Sequence, residues 1–128
     1  LILSPAMGGI IVGYEIGRIL GIETIFCERV NKIFTLRRGF SIKKNARVLI
    51  VEDVITTGKS SLECVKLIKK LKAKLVGFAC LIDRSNNKEI KNKIISQVKL
   101  EIPTYNKNNV PAKLKRIPII KPGSRFLR

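Results

Sequence analysis

Apolar residues along this chain gather in short runs separated by longer stretches of mixed pattern, the spacing of strands that alternate with helices. Leu1-Ile2-Leu3 reads as a strand, Ser4-Pro5-Ala6-Met7-Gly8-Gly9 as a turn, and Ile10 to Leu20 as a helix closed by Gly21. Thr24 to Glu28 is a second short strand and Arg47 to Glu52 a buried central one. Ser60 to Leu71 is a helix whose Leu62, Val65, Ile68 and Leu71 share one face, with Lys66, Lys69, Lys70 and Lys72 mainly on the wet side. Leu75 to Ile82 is a third long strand, broken by Asp83-Arg84-Ser85-Asn86-Asn87. A Lys-rich amphipathic segment from Lys88 to Gln97 then leads to a last short strand at Val98 to Ile102. Between Arg29 and Lys44 no period is sustained and basic residues accumulate, so a long loop able to act as a mobile lid is expected there. Pro103, Pro111, Pro118 and Pro122 make residues 103–128 an irregular tail. The pattern predicts an α/β fold with a mostly parallel central sheet flanked by helices.

Composition narrows this to one domain spanning 1–128, because 128 residues at 45% hydrophobic content suffice for a single core and not for two. The chain opens without Met on what reads as the inside of a buried strand, so it is expected to be the C-terminal part of a longer protein. No apolar run approaches the ~20 residues of a membrane span and no signal-peptide pattern opens it, which leads us to expect a cytoplasmic protein. Cys27, Cys64 and Cys80 show no metal-site spacing and sit among apolar neighbours, as buried core thiols do. With no His in the chain, any catalysis must run on carboxylates, Lys, Arg, hydroxyls and backbone. The formal charge of +17 would suit nucleic acid, but the lysines are spread along the chain and the seven aromatic residues form no stacking motif, so no specific nucleic-acid partner is expected.

The chemistry concentrates at the ends of the strands. Val48 to Ser61, V-L-I-V-E-D-V-I-T-T-G-K-S-S, runs an apolar strand into two acids and then a small-residue turn that opens a helix. Glu52 and Asp53 can accept hydrogen bonds from vicinal ribose hydroxyls, and the turn offers N–H groups, hydroxyls and a positive helix terminus to a phosphate. A P-loop would place its first glycine at Asp53, where a carboxylate would face the phosphates, and is set aside. Ser4 to Gly9, the loop after Glu28, the Glu52 to Ser60 turn and Asp83-Arg84 all follow strands, and ligands bind beyond the carboxyl ends of such sheets. Four loops should therefore converge on one site.

The Val48–Ser61 run resembles the phosphoribosyl-pyrophosphate (PRPP) motif of the type I phosphoribosyltransferases. Taken with P-A-M-G-G, F-C-E-R, L-R-R-G-F, I-D-R and the terminal I-P-I-I-K-P-G-S-R, the chain is similar to the orotate branch of that family over nearly its whole length. The resemblance implies a five-stranded parallel core, with most of an N-terminal hood missing, and Mg²⁺-dependent transfer of phosphoribosyl from PRPP to orotate, releasing pyrophosphate in pyrimidine synthesis. It implies PRPP contacts from Glu52, Asp53, Val54, Ile55, Thr56, Thr57, Gly58, Lys59 and Ser60, and from the pyrophosphate loop at Ala6, Met7 and Gly8. Orotate would meet Thr56 and, through its carboxylate, Arg84, while Mg²⁺ would be held mainly through PRPP. The lid would supply Arg29, Lys32, Arg37 or Arg38 to the reaction and reach the neighbouring site of a homodimer. Other branches carry Lys where this chain has Gly8, and His in the lid where this chain has none, so which basic residue replaces them stays open. Two alternatives share the PRPP motif: a phosphoribosyltransferase for purine bases, and a PRPP-sensing regulator that binds nucleic acid.

Overall fold

A computed structural model describes residues 1–85, 90, 93–118 and 120. Its centre is a six-stranded sheet in the order β3-β2-β1-β4-β5-β6, made of β1 (Ile2–Pro5), β2 (Thr24–Val30), β3 (Ile33–Leu36), β4 (Arg47–Ile55), β5 (Lys74–Asp83) and β6 (Ile94–Lys99). Five strands run parallel and only β3 is antiparallel, at the edge beside β2. The parallel core of five agrees with the resemblance drawn from the motifs. Short parallel strands need crossovers, and α1 (Gly8–Leu20) and α2 (Lys59–Lys70) supply two of them.

The two helices cover opposite faces, because neighbouring strand residues point to opposite sides. On one face Leu3, Cys27 and Ile50 join Cys64 and Ile68 of α2 and Phe78 of β5 in a continuous core, and each such side chain contributes about 1.5–3 kcal/mol by burial. The four apolar positions predicted to share a face of α2 do pack here, while Lys66, Lys69 and Lys70 are exposed. All three cysteines are free and buried as expected, with the Cys27 and Cys64 sulfurs 3.5 Å apart. On the other face α1 lies against Ile2, Ser4 and Val51, and its buried positions are glycines: Gly9, Gly13 and Gly17. Its large apolar residues Ile11, Tyr14 and Ile19 point outward. Gly21, left-handed at φ 62°, ends α1 as predicted.

The structure corrects the sequence reading in two places. The expected lid loop from Arg29 is a β-hairpin: β2 continues to Val30, and Asn31 and Lys32, with φ of 49° and 67°, turn the chain into β3. Two consecutive left-handed residues make the tight turn whose twist matches paired strands. β3 escaped notice because only Phe34 and Leu36 mark its inward side over four residues. The irregular basic stretch is thereby shortened to the segment after Leu36. The last strand, β6, begins at Ile94 rather than Val98, since Ile94, Ser96 and Val98 pair with Phe78, Cys80 and Ile82 of β5. Its start overlaps the segment read as amphipathic, of which residues 88, 89, 91 and 92 lie outside the described residues, as do residues 86 and 87 of the break before it. In the tail, Lys107–Asn109 and Ala112–Lys115 (α3) form single helical turns, and residues 119 and 121–128 lie outside the described residues.

Candidate functional site

β4 leads the site because it runs three residues past Glu52, to Ile55, before the chain turns through Thr56, Thr57 and Gly58 into α2. Gly58 takes φ 73°, a conformation that costs other residues strain, and so permits the sharp entry into the helix. The N–H of Leu62 closes the first helical bond on the Gly58 carbonyl at 2.8 Å, and Lys59 N–H lies 3.4 Å from Thr57 Oγ1. No side chain caps the helix and no acid stands in its first turn, so the N–H groups of Ser60 and Ser61 and the positive end of the dipole stay available to an anion.

Beside this turn lies a cavity of about 440 Å³, open to solvent, walled by the Val54–Ser60 stretch, by Arg29 and Lys32 of the hairpin, and by Glu52 and Glu63. Three cations and two carboxylates around a helix N-terminus make a pocket for a phosphorylated ligand that also carries hydroxyls. The cavity thus collects Arg29, Lys32, Glu52, Val54, Ile55, Thr56, Thr57, Gly58, Lys59 and Ser60 from the residues singled out in the sequence.

The two acids face opposite ways. Glu52 is 8% exposed and turned toward α2, where its carboxylate accepts a short hydrogen bond from the Ser61 hydroxyl. Burial pushes the Glu52 pKa above the ordinary carboxylate range; Ser61 and Arg29 oppose the rise and the charge of Asp53 adds to it. A proton held more tightly in the folded state than in the unfolded one favours folding fully below the unfolded pKa, and that stability is lost as pH rises through the raised folded value. Glu52→Gln keeps an acceptor for Ser61 and removes the buried charge. Its melting temperature should therefore exceed that of the unsubstituted protein by about 2–5 °C at pH 7.5, and the gap should close below about pH 4. Thermal unfolding at the two pH values checks this; a variant less stable at pH 7.5 would mean that the charge itself is needed by the fold.

Asp53 points to the α1 face, outside this cavity, and packs on Gly8 so closely that a side chain at position 8 would collide with its carboxylate. Asp53 and the Ala6-Met7-Gly8 loop are thereby brought together. The Ala6–Met7 peptide is cis, and Met7 is 83% exposed. Arg84 follows β5 directly, and its N–H donates to the Ile55 carbonyl at 2.8 Å, tying the end of β5 to the end of β4. A local pairing of Asp83 with Arg84 would have made the arginine structural. Instead the buried Asp83 carboxylate accepts from the N–H and hydroxyl of Ser85 at 2.8 and 2.6 Å, and exposed Arg84 has no ion pair among the described residues.

Of the four basic residues expected in the lid, only Arg29 and Lys32 line the cavity. Arg38 is engaged elsewhere, donating to Glu28 at 3.0 and 3.1 Å with its guanidinium 5.9 Å from the Phe26 ring, and Arg37 is exposed. Two residues of the site escaped the sequence reading. Ser61, the partner of Glu52, was subsumed in the helix start. Glu63 completes an S-x-x-E spacing from Ser60 that resembles a helix-capping box, yet α2 starts at Lys59 and Glu63 reaches Arg29 instead.

Among the described residues no group of three or more side chains could hold a metal ion, and no helix is long and apolar enough to cross a membrane. Curated proteins named orotate phosphoribosyltransferase match almost the whole chain. That of Methylorubrum extorquens (strain PA1) is 51% identical over 129 residues and that of Maricaulis maris (strain MCS10) 44% over 128, each alignment covering 99% of this chain. The chain spans 66% of the length of each. Among solved structures, purine phosphoribosyltransferase from Pyrococcus horikoshii Ot3 superposes with a TM-score of 0.62 at 25% identity, covering 83% of this chain and 80% of that one. Adenine phosphoribosyltransferase from Saccharomyces cerevisiae gives 0.67 at 18%, covering 76% and 64%, a likeness of fold. The phosphoribosyl transferase domain model matches residues 1–116, and the chain, with this sheet and this turn into α2, belongs to that family.

Proposed function

We propose that this chain carries the PRPP-binding core of an enzyme that transfers phosphoribosyl from PRPP to orotate, giving orotidine 5′-monophosphate and pyrophosphate for pyrimidine synthesis. The observation that carries this reading is the cavity at the N-terminus of α2, where uncapped N–H groups, three cations and two carboxylates come together. The 5-phosphate sits in the Thr56–Ser60 turn. The ribose hydroxyls meet Glu52 and Asp53, whose charge also favours the cationic character that develops at the anomeric carbon as its bond to pyrophosphate breaks and the bond to the orotate ring nitrogen forms. The Ala6–Gly8 loop and Arg29 and Lys32 receive the departing pyrophosphate. Identity of 44–51% to proteins named for orotate favours that base over a purine.

Mg²⁺ fits this donor set in a particular way. Magnesium is commonly held by one or two carboxylates together with substrate phosphates, and Asp53, with no partner among the described residues, is the free carboxylate near the pyrophosphate loop, whereas Glu52 is engaged by Ser61. When bound, the ion would neutralise pyrophosphate oxygens. The remainder of the reading is a cytoplasmic homodimer in which basic residues after β2 extend toward the neighbouring site.

Arg84 does not line the cavity, and its assignment to the orotate carboxylate is supported by its exposed position directly after β5, next to Ile55 of the cavity wall. Loss of a charge-assisted, two-pronged contact costs about 1.5–3 kcal/mol, so Arg84→Ala should raise the Michaelis constant for orotate by about 10–100-fold and leave that for PRPP within about twofold. If that variant melts early with orotate affinity unchanged, the assignment is wrong. The test of the whole reading is orotate-dependent pyrophosphate release from PRPP with Mg²⁺, by this chain and by a version extended at its N-terminus. Release is the expected result from at least the longer form. Silence from both, with PRPP binding intact by calorimetry, would point to another base or to the regulatory alternative.

A further inference from the structure

A carboxylate on the wall of a phosphate pocket should weaken binding, since it faces the ligand's own negative charge. Glu63 is such a residue, one of the two acids lining the cavity. Its position makes sense only through Arg29. The Glu63 Oε2 atom lies 2.5 Å from Arg29 Nη1, with the two side chains 23% and 34% exposed. The same Nη1 donates to the Lys32 carbonyl at 3.0 Å, and the guanidinium carbon sits 4.1 Å above the Phe34 ring. The left-handed Asn31-Lys32 turn folds β3 back beside β2 and so brings both that carbonyl and that ring to Arg29.

Nη1 donates one hydrogen to the Lys32 carbonyl, and Glu63 Oε2 holds the same nitrogen as a close ion pair without a hydrogen bond. The other side of the fork, Nε and Nη2, has no partner among the described residues. Two parallel N–H groups left free on a fixed plane match the geometry in which arginine grips two oxygens of a phosphate. Nor does α2 itself give Glu63 a task. The helix takes no side-chain cap from it, and among the described residues Glu63 makes no ion pair along the helix with Lys59, Lys66 or Lys70.

We propose that Glu63 is a positioning residue: together with the Lys32 carbonyl and the Phe34 ring it clamps one side of the Arg29 guanidinium so that the other side is presented to the pyrophosphate of the substrate. This inference rests on the PRPP reading of the cavity and adds to it a residue that touches no substrate atom. An arginine released from such a clamp regains the rotamer freedom of a long side chain and must lose it again on binding. The clamp also cancels the charge of Glu63, which would otherwise oppose the ligand.

The test is a double-mutant cycle read by steady-state kinetics and by PRPP calorimetry. Glu63→Gln is close in shape and should raise the Michaelis and dissociation constants for PRPP by about 10-fold, with the Michaelis constant for orotate within about twofold and the melting temperature within about 2 °C. Arg29→Ala should weaken PRPP by about 100-fold, and adding Glu63→Gln to it should weaken PRPP no further and recover a few-fold, because the residue to be positioned is already gone and the uncancelled charge of Glu63 goes with the second substitution. Glu63→Asp, which keeps the charge on a shorter arm, should fall between the unsubstituted protein and Glu63→Gln, and serves if the amide variant folds poorly. Unchanged PRPP affinity in Glu63→Gln, or effects of the two substitutions that multiply, would overturn the clamp while leaving the PRPP reading intact. If the unsubstituted protein neither binds nor consumes PRPP, the reading of the cavity fails first and the clamp fails with it.

Discussion

Asp53→Asn is expected to lower turnover by about 100-fold while moving the melting temperature by less than about 2 °C. The two halves of this expectation come from different facts. Asp53 is half-buried and has no hydrogen-bond or ion-pair partner among the described residues, so an amide of the same shape removes no structural contact. It stands in β4 against Gly8, where the PRPP ribose and pyrophosphate are proposed to meet, and on that proposal its charge would favour the reacting carbon and help to hold a metal ion on the phosphates. Kinetics with saturating orotate and PRPP, beside a thermal melt, separate the possibilities. Turnover within threefold of the parent would remove Asp53 from the chemistry, and a fall of many degrees would make it a structural prop of the Ala6–Gly8 loop. The neighbouring acid behaves differently because adjacent strand residues face opposite sides of the sheet. Glu52, buried against Ser61, weakens the fold when ionised, so its neutral variant should gain stability as it loses function.

The turn from β4 into α2 was legible in the sequence because each of its requirements is local: an apolar run for a buried strand, a Gly able to take a positive φ, and hydroxyl residues opening a helix. The parallel order of the core followed from the alternation of such units. What stayed hidden depends on contacts between segments distant in the chain. Arg29 and Lys32 were recognisable as basic, but their entry into the cavity depends on a hairpin whose second strand has only two inward residues, Phe34 and Leu36. Arg37 and Arg38 read no differently in sequence, yet Arg38 turns to Glu28 ten positions earlier. Glu63 had the spacing of a helix cap and the opposite destiny, crossing from α2 to β2. The inward face of α1 was the least legible. Its apolar residues suggest a conventional buried stripe, whereas Gly9, Gly13 and Gly17 make the contact and leave Ile11 and Ile19 outside.

That glycine face carries the largest expected effect on the fold. A Cβ added at Gly9 would fall 2.7 Å from the Val51 carbonyl oxygen and 3.3 Å from the Glu52 Cα, both backbone atoms of β4. No rotamer change relieves such a contact; α1 must lift from the sheet or β4 must bend. Overpacking of this kind costs about 1–3 kcal/mol, against about 1 kcal/mol returned by the better helix propensity of alanine. Because the collision is with the central strand of the sheet, the cost should prevail, and Gly9→Ala should melt about 5–10 °C below the parent. Gly21→Ala is the matched control, since nothing lies within 4 Å of its added Cβ and only the left-handed φ of 62° is strained. It should lose only about 1 kcal/mol. The consequence for the site follows from the sequence neighbours of Gly9. Lifting the first turn of α1 carries Ala6, Met7 and Gly8 away from Asp53, so the residual folded protein should show a raised Michaelis constant for PRPP, whereas Gly21→Ala, at the far end of the helix, should not. Equal melting temperatures for Gly9→Ala and the parent would mean that α1 rides higher on the sheet than this structure has it, and the pairing of Asp53 with the Ala6–Gly8 loop would lose its support.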